Sequence, residues 1–276
     1  MNKEQVHTLI IPDIHGRKFW KQAILEFPKK EFPKLKIVFL GDYLDPYEGL
    51  EFINRQEAID NFKEIIDTAK NDERIHLLFG NHDMHYWYDA RYKSRVDTNP
   101  KNFAIIQDLF LKNFALFNVA YEEKIDGVKY LYTHAGITDF WLQHLRLIGK
   151  MGMKNDRIKE EQKPFVKMIK NMTLSAKKLN QMKLNFQGQA LLWAASWIRG
   201  GDDDCGSCIW ADFEEWKYEN SVPKQKGIWQ IFGHSMAAGG FDEGIIDHQK
   251  CIAMLDARQA WIIDHEGEIK KLKDIL

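Results

Sequence analysis

A carboxylate and an imidazole stand two positions apart near the start of the chain, where Asp13 and His15 follow the apolar run Val6–Ile11. In an extended chain alternate residues point the same way, so both side chains should project together while Ile14 faces away. Gly16 allows the backbone to turn sharply directly after them. An Asp and a His presented together suit a divalent transition metal. The alternative, for this motif alone, is a capping Asp and a surface His near a strand end.

Four further segments combine Gly with Asp, Asn or His after an apolar run: Gly41–Asp45, Gly80–Asp83, Thr133–Gly136 and Gly233–Ser235. Runs of branched and aromatic residues like those that precede these segments are typical of strands. Sites in α/β folds collect at the carboxyl ends of strands. The sequence therefore predicts that polar side chains from several strand ends meet in one site.

The elements that must position these residues alternate in the first third of the chain. Hydrophobic periodicity predicts strand, helix, strand, helix and strand over Val6–Ile11, Arg17–Phe27, Lys36–Asp42, Phe52–Ala69 and Arg74–Gly80. This alternation favours an α/β fold. Further along the chain we expect a helix at Phe103–Phe117 and closing strands at Ile228–Phe232, Cys251–Leu255 and Ala260–Ile263.

The middle of the chain follows a different pattern. Residues 138–200 place Met, Leu, Ile and Lys at helical spacing, with Gly149, Gly152 and Pro164 as breakers. This pattern predicts a helical insert that caps one rim of the site. Because no repeat or low-complexity linker is present, residues 1–276 are interpreted as a single domain that carries this insert.

The composition excludes several classes of protein. A formal net charge of −1 and a pI of about 6.8 give no electrostatic case for general nucleic-acid binding. The apolar runs are too short to span a bilayer, and the first residues lack the apolar core of a signal peptide. The three cysteines do not suggest a disulfide framework. We therefore expect a cytoplasmic protein without a membrane or nucleic-acid partner, whose oligomeric state the sequence leaves open.

Taken together, the segments at Asp13–Gly16, Gly41–Asp45 and Gly80–Asp83, and those around His134 and His234, resemble the motifs of the calcineurin-like metallophosphoesterases. The likeness is strongest to the branch of serine/threonine phosphoprotein phosphatases and diadenosine tetraphosphate hydrolases. It covers roughly residues 6–136 and 207–264 and leaves 138–200 without a recognisable motif. The resemblance implies an α/β fold (α+β in some schemes) of two mixed β-sheets packed face to face, with flanking helices.

The resemblance also implies a phosphatase that uses two divalent metal ions, manganese or iron with zinc as an alternative, on a phosphorylated substrate. Asp42 would bridge the two ions, because two close cations need an anion between them. A hydroxide bridging the metals would attack phosphorus. The other ligands would be Asp13 and His15 at the first ion, and Asn81, His134 and His234 at the second.

Two further residues acquire catalytic roles by resemblance. His82 would protonate the leaving-group oxygen as a general acid. Asp45 would orient His82 and favour its charged form, since an opposite charge stabilises imidazolium. The alternative for His82 alone is a surface loop histidine. Asp83 is interpreted as a loop or supporting residue rather than as a ligand.

The chain departs from the family pattern at Pro46. The phosphoprotein phosphatases normally have an arginine there that binds the substrate phosphate, and proline offers no hydrogen-bond donor. We favour Arg199 as the replacement, with Arg17 second, because the planar donors of arginine match phosphate oxygens. The alternative is that Arg199 caps the preceding helix. The full set of candidates is Arg17, Arg55, Arg95 and Arg199.

Three functional interpretations follow from these residues. A metal-dependent phosphatase like the serine/threonine enzymes is favoured, and a dinucleoside polyphosphate hydrolase of the diadenosine tetraphosphate type is the first alternative. A non-catalytic binding module on the same fold is more distant, because such a module is expected to lose ligands and all six are present here. Pro46 argues mildly against a standard protein phosphatase.

Two smaller segments allow a functional and a structural interpretation. The aromatic run Met84–Tyr88 either stacks a nucleobase or an aromatic side chain at the mouth of the site or packs in the core or a lid, and we favour the packing role. Cys205 and Cys208 form a lone C-x-x-C beside an acidic run. A zinc knuckle would need a second ligand pair and a redox pair lacks its usual helix context, so a polar loop is the favoured interpretation.

Overall fold

The computed structural model describes residues 3–47, 52–87, 97, 99–155, 157–218, 220–223, 225, 227–236 and 243–276. Its centre is a pair of mixed β-sheets packed face to face. Ile10, Val38 and Leu78 of one sheet join Tyr132 and Ile231 of the other in a buried apolar cluster between them. The predicted fold class of two mixed sheets with flanking helices is confirmed.

The first sheet holds the early strands of the chain side by side. Its strands are β1 (Val6–Ile11), β2 (Lys36–Phe39), β3 (Ile75–Leu78), β4 (Phe117–Asn118), β10 (Trp261–Asp264) and β11 (Ile269–Lys271). Their order across the sheet is β11-β10-β1-β2-β3-β4, with β1 to β4 parallel. The carboxyl ends of β1, β2 and β3 therefore lie along one edge of the sheet.

Strand β1 shows why the parallel strands are mostly apolar toward their carboxyl ends. Leu9 and Ile11 face the helices that cover the outside of the first sheet, whereas Ile10 faces the second sheet. Both faces of a strand in such a position must be apolar. The helices around this sheet are α1 (Phe19–Leu25), α2 (Arg55–Asn71), α3 (Asn81–Trp87) and α4 (Pro100–Lys112). Helix α2 begins with a capping box in which the Asn54 side chain accepts from the Glu57 amide at 2.9 Å.

The second sheet is formed by the later part of the chain. Its strands are β5 (Tyr121–Ile125), β6 (Val128–Tyr132), β7 (Ile228–Phe232), β8 (Ile245–Asp247) and β9 (Ile252–Met254). They are arranged in the order β5-β6-β7-β9-β8, with β6, β7 and β9 parallel. The carboxyl ends of β6 and β7 therefore also share one edge, and their following loops carry His134 and His234.

The segment between β6 and β7 is mostly helical. It contains α5 (Asp139–Met153), α6 (Lys163–Lys170), α7 (Ala176–Lys183), α8 (Phe186–Leu192) and the short α9 (Phe213–Trp216). Trp141, Leu145, Leu179 and Trp193 share a second buried core with Leu131 of β6. The interpretation of 138–200 as an insert that caps the site stays a prediction. In the part of the chain that is described, no helix is both long and apolar enough to cross a membrane.

Several predicted boundaries are wrong, and most have a local cause. Strands β1 and β7 have the predicted bounds, but the strand predicted to reach Asp42 ends at Phe39, because Gly41 (φ 107°) and Asp42 (φ 52°) leave the extended conformation. The helix predicted to end at Phe117 ends at Lys112, because Phe117 pairs with Leu77 in the sheet. The predicted bounds of α1 and α2 are displaced by two or three residues.

A helix was missed altogether directly after β3. Asn81 and His82 are the first residues of α3, not the end of a strand. Tyr86 of the same helix is fully buried and packs on Phe103 and Phe110, so the prediction of core packing is confirmed for it. Tyr88 lies outside the described residues. A helix of seven residues shows too little periodicity to be recognised from sequence.

Candidate metal centre

The backbone at the converging strand ends is unusual. Among the described residues, six non-glycine residues have a positive φ, and four of them lie here: His15 (44°), Asp42 (52°), Asp45 (62°) and His234 (67°). Such left-handed conformations are unfavourable for residues with a side chain, and they cluster at functional sites. The amide of His15 donates to the carbonyl of Asp42 at 2.7 Å, which ties the loop after β1 to the loop after β2.

Two groups of side chains meet at this edge of the sheets, and both contain Asp42. The first group brings one ligand atom from each of its residues within 4.8 Å of the others, and it consists of Asp13, His15 and Asp42. The second group does the same with Asp42, His134 and His234. All these residues are buried. Because Asp42 belongs to both groups, its carboxylate stands where a bridge between two ions would be needed.

Asn81 extends the second group. Its Oδ1 lies 2.9 Å from His134 Nε2 and 2.9 Å from His234 Nδ1, and those two nitrogens are 3.1 Å apart. We therefore count Asn81 in the second group. Two ligand atoms at right angles on an ion with bonds of about 2.1 Å are themselves about 3 Å apart. The three separations match that value.

The tautomers of two histidines support the same interpretation. His134 Nδ1 lies 2.7 Å from the carbonyl oxygen of Leu40, so Nδ1 carries the proton and Nε2 presents a lone pair to Asn81 Oδ1. His15 Nδ1 likewise lies 3.0 Å from the Leu44 carbonyl, which leaves its Nε2 lone pair 3.5 Å from the Asp42 carboxylate. Lone pairs at such distances repel each other unless a cation lies between them. The donor set therefore fits divalent metal ions.

Burial controls the electrostatics of the centre. It lowers the pKa of His15 to about 3 and also lowers the pKa values of His134 and His234, which keeps these rings neutral. Neutral imidazole is the form that binds metals. Burial, together with the nearby carboxylates of Asp256 and Asp42, raises the pKa of Asp13 well above its usual range. Bound cations would stabilise the charged carboxylate again.

His82 projects from the first turn of α3 beside the two groups. Its backbone amide donates to Asp42 Oδ1 at 3.0 Å, and its Nδ1 lies 3.0 Å from Asp45 Oδ2. Burial favours the neutral ring, but the carboxylates of Asp42, Asp45 and Asp83 outweigh it and raise the pKa of His82 to about 9. The ring is 5.1 Å from that of His15. His82 is therefore a partly buried helix residue beside the two groups rather than a surface loop residue.

Asp83 has a different environment from the ligand groups. Its carboxylate accepts hydrogen bonds from three backbone amides, those of Gly80 at 2.8 Å, Asp42 at 2.9 Å and Tyr43 at 3.1 Å. These amides belong to the loops after β2 and β3. Asp83 thus fastens two neighbouring strand ends together, in agreement with its interpretation as a supporting residue.

The candidate arginines differ in where they lie. Arg199 donates from Nη2 to Ser235 Oγ at 2.7 Å and pairs through Nε with Asp212, so it lies beside the loop that carries His234. Arg17 donates to the carbonyl of Asp13 at 3.2 Å, with its guanidinium over the Tyr47 ring. Arg55 forms an ion pair with Asp45 instead, and Arg95 lies outside the described residues.

Sequence reasoning missed two residues near the centre. Asp256 is buried just beyond β9; burial raises its pKa to about 6, against the influence of Arg17 and Arg199. Its place after a strand of the second sheet could have revealed it, as it did for His234. Ser235 accepts a hydrogen bond from Arg199, but a serine beside a motif histidine carries no signal of its own.

Both cysteines of the C-x-x-C are buried free thiols, and burial raises the pKa of Cys205 to about 12.

Comparison with protein families agrees with the geometry of this centre. The family model of the calcineurin-like phosphoesterases matches residues 6–235. No curated protein sequence matches the chain. Among solved structures, a protein serine/threonine phosphatase from Saccharomyces cerevisiae with similarity to human phosphatase PP5 is 14% identical, with a TM-score of 0.43 over 95% of this chain and 74% of that one. A candidate diadenosine tetraphosphatase is 12% identical, with a TM-score of 0.39 over 99% of this chain and 95% of the other. The match of the family model, which spans most of the chain and all five strand-end motifs, shows that the protein belongs to the calcineurin-like phosphoesterase family and is a phosphoesterase.

Proposed function

We propose that the protein hydrolyses phosphate monoesters at a dinuclear metal centre, in the manner of serine/threonine phosphatases. One observation carries this proposal: two groups of buried ligand atoms share the carboxylate of Asp42. A single shared carboxylate between two such groups is what a pair of metal ions close together requires.

The ligand assignments follow from these groups. The first ion would be held by Asp13, His15 and Asp42, and the second by Asp42, Asn81, His134 and His234. A mixture of carboxylate, amide and imidazole donors suits manganese or iron, with zinc as the alternative. When bound, the two ions would supply charge stabilisation at the phosphoryl oxygens and a hydroxide nucleophile near neutral pH.

His82 acts on the leaving group. Because Nδ1 is held by Asp45 at 3.0 Å, Nε2 is the nitrogen left to face a substrate. With its pKa raised to about 9, the ring carries a proton at neutral pH that it donates to the departing oxygen. Asp45 fixes the direction of the ring and stabilises its positive charge.

Arg199 and Arg17 bind the phosphate in place of the arginine missing at Pro46. Both approach the ligand groups, Arg199 through Ser235 and Arg17 through the carbonyl of Asp13. A guanidinium that is already held by other contacts loses little freedom when it binds a phosphate. Ser235 and Asp212 orient Arg199 in this way.

The test is hydrolysis of p-nitrophenyl phosphate by the wild-type protein supplied with manganese, iron or zinc. Asp42→Asn should lower kcat by about 10²–10³-fold or more, because it weakens both ion sites at once. Asp126→Asn, an identical change in an exposed turn that also has a positive φ, is the matched control and should keep full activity. A folded wild-type protein that binds no metal and hydrolyses no ester would instead be a binding module. Hydrolysis of diadenosine tetraphosphate but of no monoester would show that the substrates are dinucleoside polyphosphates instead.

A further inference from the structure

The carboxylate of Asp45 divides its two oxygens between different partners. Oδ2 lies 3.0 Å from His82 Nδ1, whereas Oδ1 accepts from the Tyr86 hydroxyl at 2.6 Å and from Arg55 Nη1 at 2.7 Å. Only 1% of Asp45 is exposed, so these contacts and not water determine how the carboxylate is oriented. The partners on Oδ1 therefore fix the oxygen that meets His82.

Tyr86 is well placed for this purpose. It follows His82 by four residues on α3, so both side chains reach Asp45 from the same face of one helix. The Tyr86 oxygen also accepts from the amide of Asp97 at 2.9 Å. Because that contact occupies a lone pair, the hydroxyl proton is directed at Asp45. Tyr86 is fully buried, so this contact is shielded from bulk solvent.

Arg55 reaches Asp45 from a different element. It is the first residue of α2 and its side chain is about a quarter exposed, at 26%. Asp45 therefore connects helix α2 with helix α3 beside the metal centre. Asp45 itself has a φ of 62°, a conformation that persists only where the surroundings hold it. Tyr86 and Arg55 supply that hold at the side chain.

The direction of the His82 ring decides how well it can serve a leaving group. Displacement of a catalytic group by about 1 Å can lower a rate by about 100-fold. A carboxylate with a free second oxygen could rotate and release His82 Nδ1. Two donors on Oδ1 prevent this rotation.

We propose that Tyr86 and Arg55 are positioning residues for the leaving-group step, which hold the Asp45 carboxylate so that His82 stays aligned with the departing oxygen. The inference depends on the proposed function, in which His82 is the general acid. It assigns a role to Tyr86 and Arg55, which lie outside the ligand groups. Arg55 was one of the candidates for binding the substrate phosphate.

The experiment compares two esters with different leaving groups. Phenyl phosphate releases phenol, which is about as weakly acidic as tyrosine and needs protonation, whereas p-nitrophenyl phosphate releases a much weaker base. Tyr86→Phe should lower kcat on phenyl phosphate by about 10-fold or more and on p-nitrophenyl phosphate by less than about 3-fold. The metal content should stay at the wild-type value. His82→Asn removes the proposed general acid itself, so it shows the largest selective loss of kcat on phenyl phosphate that can be expected.

Tyr43→Phe is the matched control. Tyr43 is also fully buried near the centre, but its hydroxyl donates to the carbonyl of Leu78 at 2.9 Å and not to Asp45. Any loss in this variant should be equal on the two esters. Arg55→Gln should repeat the selective loss at a partly exposed position, so the comparison survives if Tyr86→Phe fails to fold. Arg55→Lys should restore part of the activity because it keeps the charge beside Asp45.

The outcomes separate the two proposals. An equal loss on both esters in Tyr86→Phe and Arg55→Gln, or a loss of metal, would overturn the positioning roles and leave the proposed function intact. Absence of hydrolysis by the wild-type protein with every metal would overturn the proposed function, and the positioning roles with it. A selective loss with retained metal supports both.

Discussion

The two groups of candidate metal ligands draw their residues from segments that are separated by different distances along the chain. The first group, Asp13, His15 and Asp42, comes from the loops after β1 and β2, two neighbouring parallel strands of one sheet. The second group adds Asn81 from α3 and two histidines from the other sheet, His134 and His234. The first group depends on local pairing of strands, whereas the second depends on how the sheets pack. Metal binding can therefore be lost in two separate ways, through a change in the local pairing of strands or through a change in the packing of the sheets.

The largest effect is expected when a histidine is removed from either group. His15→Ala and His134→Ala should each lower kcat by about 10²–10³-fold and should each lose one of two bound ions. The measurement is metal content per chain beside activity. His144→Ala on α5 is the control, and it should change neither. If both variants lost both ions, the two groups would act as one unit. The distinction between a group set by strand pairing and a group set by sheet packing would then be wrong.

A smaller effect is expected where the two groups are joined across the sheets. The Asp13 carboxylate accepts from the amide of His234 at 3.0 Å, and a Cβ on Gly233 would lie 2.0 Å from Asp13 Oδ2. Gly233→Ala should therefore displace Asp13 and lower metal affinity by about 10–100-fold, the usual cost of disturbing the support of a ligand. Titration with manganese measures it.

Gly127→Ala serves as the control for that substitution. A Cβ there meets nothing within 4 Å, although the residue has a φ of 77°. It carries the backbone cost of replacing glycine without any contact at the centre, so manganese affinity should stay unchanged. Equal loss of affinity in both variants would assign the effect to general destabilisation.

The smallest effect concerns stability and acid. His76 of β3 stacks on Tyr121 of β5 at 3.9 Å between the sheets, and burial lowers the pKa of His76 to about 4. The unfolded chain gains a proton below a pH of about 6.5 while the folded chain does not, so the free energy of unfolding should fall between pH 6.5 and 4. His76→Phe keeps the stack and should remove up to about 3 kcal/mol of this loss.

Denaturant unfolding of the wild-type protein and of His76→Phe across that pH range measures the difference in their free energies of unfolding. Other acidic groups titrate in both proteins and cancel in the comparison. His144→Phe, outside the contact between the sheets, should leave the wild-type pH dependence in place. A wild-type curve that runs parallel to that of His76→Phe would show that His76 does not contribute to the loss of stability in acid.

The sequence was informative where a strand end and a glycine coincide. The motifs around Asp13, Asp42, Asn81, His134 and His234 could be found because apolar runs indicated strands and polar residues followed them at once. The bounds of β1 and β7 were predicted for the same reason. Parallel pairing then explains why these ends meet, although no residue pattern gave the pairing of β6 with β7.

The remaining parts of the site depend on contacts that no local pattern encodes. Asp83 accepts hydrogen bonds from the amides of two loops, and Ser235 accepts one from Arg199. The whole fold brings these partners together. The left-handed backbone of His15 replaced the strand alternation that was expected to place it beside Asp13. Tyr86 was predicted to pack in the core, which is right, but its hydroxyl also reaches Asp45. Tyr86 is thus a core residue that also donates a hydrogen bond beside the site, a combination that neither interpretation of the aromatic run included.

The long separation between Asp13 and His234, which are 221 positions apart, has a consequence for synthesis. The ribosome releases the first group early, since Asp13, His15 and Asp42 all precede the second sheet. The second group exists only after β7 has emerged and docked beside β6. Metal binding adds free energy to folding only once its ligands are assembled. A nascent chain therefore holds an incomplete candidate centre until β7 has emerged, and complete loading with metal would have to follow the docking of β7 beside β6.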